Sequence, residues 1–242
     1  MFIKLVTIYE NSVDMVKKRE EIMSKAKSSM IQLVIAVCGV FVAIFGLRMF
    51  NQHVLMSLSL PLRMILMIVT QWLLFLVPGI LMIVNKESLG DISFSKEKIL
   101  LQIGIGVLLA LSMSLALTVL PIMLGFKDMV GSRVYTQTYQ FVYQFIYAIL
   151  GVALAEELVF RGYIFNKLLN INSSKWVAII ISSLLFGLFH IFNGNIIQIF
   201  MTAFIGFLYC IFRDRIKDCT LLSLIIAHGV YDAMIVLWVS IL

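Results

Sequence analysis

The chain has 242 residues, 62% hydrophobic and 13% charged, with a mean hydropathy of +1.04 and a formal net charge of +6. A soluble domain averages roughly 45–50% apolar and about 25% charged, so this composition excludes a soluble enzyme and a disordered chain. Cys38, Cys210 and Cys219 form no paired framework and no CxxC spacing, which also excludes a disulfide scaffold and a thiolate zinc site.

Residues 1–29 are the most charged stretch, with Lys17, Lys18, Arg19, Glu20 and Glu21 following an apolar start. No short apolar core with a small-residue cleavage site follows a basic start, so this segment reads as an uncleaved cytoplasmic arm rather than a signal peptide. An amphipathic helix on the membrane surface is its expected form. Apolar runs then fall near residues 30–50, 60–84, 98–125, 139–165, 176–193, 195–212 and 220–241. Each approaches the roughly 20 helical residues that cross about 30 Å of hydrocarbon. Asn193-Gly194-Asn195 reads as a tight turn between the fifth and sixth runs. The expected fold is all-α: one polytopic transmembrane bundle of about seven spans over residues 30–242, plus the N-terminal arm.

With the N-terminus inside, fifteen of the nineteen Lys and Arg residues fall on the cytoplasmic side, and only Arg48, Arg63, Lys127 and Arg133 on the other. That is a strong positive-inside bias. It also accounts for the net charge without a nucleic-acid partner and leaves lipid as the expected surroundings. The lack of a targeting signal points to a bacterial plasma membrane.

Ten of the thirteen acidic residues lie in the arm or the connections, whereas Glu156, Glu157 and Asp232 interrupt apolar runs, as do His190 and His228. A carboxylate near a helix centre costs roughly 2.5–3.5 kcal/mol on insertion scales, so five such residues in three helices demand a purpose. Their spacing lets them meet. The fourth and fifth spans form a hairpin turning at residues 171–174, with Glu156 and His190 each 17 residues from position 173. Antiparallel helices of equal rise carry both to a similar depth. His228 and Asp232 are four apart and share a face of the last helix. Glu157 and Arg161 are also four apart, in the order favouring an ion pair. Glu156 points about 100° away around the helix, which leaves it free for a cavity. A carboxylate there beside a histidine suits a general base for water.

In order along the chain, Glu156-Glu157-Leu-Val-Phe-Arg161 reads as EExxxR, Phe186-Gly-Leu-Phe-His190 as FxxxH, and His228-Gly-Val-Tyr-Asp232 as HxxxN/D. Together these resemble the CPBP family of intramembrane peptidases (CAAX proteases and bacteriocin-processing proteins, also called the Abi family). The resemblance covers about the last hundred residues and implies peptide-bond hydrolysis within the membrane. It implies that Glu156 activates the attacking water with help from His190. By the same motifs, His228 and Asp232 stabilise the oxyanion, and Glu157 with Arg161 brace the site. The family's final position is often Asn, and Asp232 donates no hydrogen bond unless protonated, so orienting His228 or completing a metal site stand as further roles for it. Family members have also been called metallopeptidases. Glu156, His190 and His228 make a two-histidine, one-carboxylate set suited to zinc, while HExxH is absent. Both no cofactor and zinc therefore stand.

The plainer readings are packing ones: a structural Glu157–Arg161 pair, interhelical hydrogen bonding by His190, and helix packing by Phe186. Gly104-Ile-Gly106 reads as a close helix contact, and no GxSG suggests a serine nucleophile. The expected substrates are hydrophobic or membrane-associated peptides: prenylated CAAX tails, pheromone precursors or bacteriocin-type peptides. A non-catalytic membrane scaffold or immunity partner is the alternative, and a transporter the third reading.

Overall fold

A computed structural model describes residues 2–193 and 196–242, and the side chains of these except 2–14, 16 and 193. Among the described residues, seven helices are long and apolar enough to cross a membrane. We label them α1 (Lys17–Ser57), α2 (Leu60–Val84), α3 (Ile99–Met123), α4 (Thr138–Ile171), α5 (Lys175–Phe192), α6 (Ile196–Arg215) and α7 (Leu221–Ile241). Among the described residues there is no strand. The expected all-α, multi-pass membrane bundle is what forms. Gly194 and Asn195 of the expected turn lie outside the described residues.

Large apolar side chains face outward all round the bundle, among them Leu100, Ile83, Val42 and Phe200 at 70–86% exposure. A soluble monomer rarely shows contiguous apolar surface on this scale, whereas hydrocarbon accommodates it at no cost. The charged arm and the first span are one unbroken helix, Phe2–His53, in which residues 17–28 are almost wholly exposed and Ser29 is the first buried one among the described side chains. At 1.5 Å per residue it is about 78 Å long, more than twice the hydrocarbon thickness.

α4 is the central helix. It meets α1, α2, α5 and α7, while α7 packs along α3, and α5 forms a hairpin with α6. Small residues allow the closest crossings, as membrane helices require. A Cβ on Gly229 of α7 would stand 2.6 Å from the Ile149 backbone of α4, so these two chains touch directly. Alanine at Gly229 is expected to destabilise the protein by about 1–3 kcal/mol, the usual cost of overpacking. Alanine at Gly104, where nothing lies within 4 Å, is the neutral control. Thermal unfolding in detergent reads both, and equal melting of the two variants would contradict the close crossing.

The helices are not uniform, and proline explains part of that. Pro78 has no N–H for the Leu74 carbonyl, and the preceding turn tightens to a 3₁₀ stretch, Trp72–Phe75. Pro121 likewise has none for Leu117, which lies in a wide π stretch, Leu115–Val119. α4 carries two more such stretches, Tyr147–Ala153 and Leu158–Ile164, on either side of Glu156 and Glu157. Such π turns recur at functional sites. Their displaced carbonyls take side-chain donors: Leu150 accepts from Trp72 Nε1 (3.1 Å), Gly162 from Asn166 Nδ2 (2.6 Å), and Arg161 from Arg213.

The two ends of the bundle differ. At the end bearing the 85–98, 172–174 and 216–220 connections, ion pairs tie the connections to each other and to the helix ends. Lys98 pairs with Asp218 at 2.9 Å, Lys175 with Asp214 at 2.6 Å, and Lys167 with Glu87. The Asp218 carboxylate holds the Lys98 ammonium above its ordinary pKa. The opposite end is closed more lightly, by Tyr135 N donating to Ser240 Oγ (2.9 Å) and by Arg48 donating to the Phe192 carbonyl.

Candidate active site

Every intramembrane polar residue singled out in the sequence converges on the centre of the bundle. Glu157, fully buried, accepts two hydrogen bonds at Oε1: from Arg161 Nη1 at 2.8 Å along α4 and from His228 Nδ1 at 2.8 Å across to α7. Both residues of the i,i+4 pair are at most 1% exposed. A buried carboxylate is tolerable only when paired, and Glu157 is paired twice.

Bonding to a carboxylate, His228 must carry its proton on Nδ1. Its other nitrogen, Nε2, is 3.3 Å from Asp232 Oδ2 and 3.8 Å from Glu156 Oε2. The carboxylate-oriented imidazole thus presents Nε2 to the cavity, an arrangement that fixes ring and tautomer together. Asp232, one turn on, is a third exposed.

His190 sits at the end of α5, at the start of the 3₁₀ turn His190–Asn193. Its Nδ1 is 2.9 Å from the Phe186 carbonyl. A carbonyl only accepts, so Nδ1 donates, and in the neutral ring Nε2 is the nitrogen with the lone pair. Glu156 is 6% exposed, and its Oε2 has no hydrogen-bond partner. Glu156, His190, His228 and Asp232 all line one cavity of about 880 Å³, near the top of the range for ligand pockets. The rest of its wall is mainly apolar and comes from α3, α6, the end of α7 and the 126–133 connection. The rotation that separates Glu156 from Glu157 therefore divides one carboxylate for the cavity from one for the scaffold.

Phe186 does more than fill a helix interface. Its ring lies under the Arg161 guanidinium, 4.0 Å from the centroid, and stands edge-on to His190 and His228 at 5.2 and 5.9 Å. It is the packing block that touches Arg161, His190 and His228 together.

Two contributors gave no sequence signal. Tyr209, wholly buried in α6, covers the Arg161 guanidinium at 5.4 Å and packs against the His228 ring at 5.5 Å. Gly206, one turn before it, leaves room for the same guanidinium, since a Cβ there would stand 2.9 Å from Arg161 Nη2. Neither interrupts an apolar run, so no hydropathy argument could have found them.

The donor types of Glu156, His190 and His228 suit zinc. In the described arrangement, however, no three His, Cys, Asp or Glu side chains are grouped closely enough to share one ion. His228 is instead engaged on both nitrogens by carboxylates. The geometry as it stands does not fit a preassembled three-ligand metal centre.

Compared with known families, residues 138–234 match the model of the type II CAAX prenyl endopeptidases, described as Rce1-like. The matched segment begins with α4 and ends two residues past Asp232, so it contains all three motifs, with Glu156, His190, His228 and Asp232. The recognition made from EExxxR, FxxxH and HxxxD holds over this segment. No curated protein and no solved structure matches the chain.

Proposed function

From the match of residues 138–234 to the CAAX endopeptidase family, we propose that this multi-pass membrane protein cleaves peptide bonds of apolar, membrane-associated peptides, using Glu156 as the base. The observation that carries the proposal is Glu156, buried on the wall of a cavity shared with His190, His228 and Asp232, its Oε2 accepting no hydrogen bond and 3.8 Å from His228 Nε2. A lone carboxylate oxygen in such a place is free to receive a proton from water.

In the proposed reaction a water molecule lies between Glu156 and the Nε2 lone pair of His190. Glu156 takes one of its protons as the oxygen attacks the scissile carbonyl carbon. The negative charge moves to the carbonyl oxygen, and His228, protonated at Nε2, donates to it. Preorganised donors of this kind are usually a large part of catalysis. The C–N bond then breaks, and the proton held by Glu156 passes to the departing nitrogen, leaving a carboxylic acid, which then ionises, and an amine. Glu157 and Arg161 act through His228 as positioning residues. Asp232, beside Nε2, keeps the ring in place.

The test uses purified protein in detergent and a panel of apolar peptides, with products identified by mass. His190→Ala is expected to lower cleavage about 10²-fold, the loss that follows when a reacting group is misplaced. Zinc content of the same preparations, loaded under zinc-replete conditions, separates the two chemistries. Near-stoichiometric zinc lost in both Glu156→Gln and His190→Ala would replace the metal-free base with a metallopeptidase. Full cleavage by His190→Ala would remove that histidine from the site.

A further inference from the structure

We infer that the cavity opens on the extracytoplasmic face and that the peptide it cleaves is presented there, not on the cytoplasmic side where a prenylated CAAX tail resides. This rests on the peptidase reading above and adds the side and class of substrate to it.

The course of the chain through the bundle fixes the mouth. The cavity's outer wall is built from Phe126, Asp128 and Arg133 of the α3–α4 connection, Met201 near the start of α6, and Val239 near the end of α7. All belong to one end of the bundle. α3 begins after the 85–98 connection and ends at the mouth, α6 begins at the mouth and ends at Arg215, and α7 starts after the 216–220 connection and returns. The site is therefore reached from the end opposite the basic connections.

Charge decides which face that is. The end away from the mouth carries Lys86, Lys96, Lys98, Arg213, Arg215 and Lys217, besides Lys17, Lys18, Arg19, Lys25 and Lys27 of the first helix. The mouth end holds Arg48, Arg63, Lys127 and Arg133. Basic residues are retained on the cytoplasmic side, most strongly in short connections near helix ends. The basic end is also the one where Lys98–Asp218, Lys175–Asp214 and Lys167–Glu87 bind the connections together. The cytoplasmic end is thus basic and strapped by ion pairs, and the far end is weakly charged and open. At the rim, Asp128 and Arg133 balance each other in sign, so selection falls to the apolar wall. An exported or membrane-anchored peptide with an apolar segment fits.

The experiment places single cysteines at the two ends of the full-length protein, Ser132→Cys at the mouth and Lys96→Cys at the basic end, both exposed positions. The exposed native thiol is removed by Cys38→Ser. Sealed spheroplasts of the expression host are treated with a membrane-impermeant maleimide, and a membrane-impermeant peptide cut by the detergent-purified protein is added outside. Labelling of Ser132→Cys before lysis, of Lys96→Cys only after lysis, and cleavage of the external peptide are expected. Glu156→Gln in the same cells abolishes that cleavage. Labelling of Lys96→Cys before lysis with Ser132→Cys protected overturns the inference, as does cleavage that appears only when cytoplasmic faces are exposed in inverted vesicles. In that last case the peptidase reading survives. Absence of cleavage of every peptide, in detergent and from both faces, removes that reading instead, while the labelling still decides which face the mouth occupies.

Discussion

Glu156→Gln is expected to lower peptide cleavage by about 10²–10⁴-fold, the usual contribution of a positioned general base, with the protein still folded and inserted. Glutamine keeps the shape of the side chain and removes only the capacity to take a proton. Glu156 Oε2 has no hydrogen bond to lose, and the residue sits on the cavity wall rather than in the Glu157–Arg161 pair, so the scaffold should barely notice the change. The loss belongs in kcat, because a base acts in the transition state and contributes little to peptide binding. Single-turnover cleavage in detergent, with melting temperature measured on the same sample, reads both quantities. A cleavage rate within twofold of wild type in well-folded Glu156→Gln protein would falsify the assignment of the base.

Removing Arg161 should act on the fold instead. Arg161→Ala leaves the Glu157 carboxylate buried without its guanidinium, and breaking a buried pair costs about 3–5 kcal/mol. The guanidinium also lies against Phe186 at 4.0 Å, a contact worth up to about 2 kcal/mol when desolvated. Loss of folded protein or a large fall in melting temperature is the expected outcome. The paired replacement Glu157→Gln with Arg161→Met removes both charges and should recover much of the stability. It should not recover the rate, because His228 then lacks the charged acceptor that sets its ring. Such a split between folding and kcat distinguishes positioning from mere support. Wild-type melting in Arg161→Ala would show that the pair carries no structural weight.

The seven spans were legible because hydrocarbon imposes a length and a polarity that any sequence must display. Six of the seven expected runs match the observed helices to within a few residues at their starts. The first begins earlier, since the charged segment before residue 30 continues the same helix. The ends were less accurate where polar residues extend a helix beyond the apolar run, as at Ile171 in α4. Glu156, Glu157, Arg161, His190, His228 and Asp232 were visible for the same reason, as costly groups in an apolar context. The i,i+4 pair of Glu157 with Arg161 followed from helical geometry alone and is present.

Other features could not be read along the chain. Nothing in the spacing said that Glu157 would reach α7 and bond His228, since that contact joins residues 71 apart. The ideal helix assumed in the depth argument is also not what α4 adopts, because wide turns flank its two glutamates. Tyr209 and Gly206 hide in an apolar run and matter only through what lies across from them.

The sequence by itself determined the class of molecule, the number of crossings, the basic end and the set of polar residues. All are consequences of solvent preference, which each residue carries wherever it sits. The tertiary structure alone decided that Glu157 serves two partners, that Glu156 faces a cavity, and that this cavity opens away from the basic end. Those are properties of helices packed side by side. They depend on rotation, crossing distance and small residues at the contacts, and no single helix encodes them.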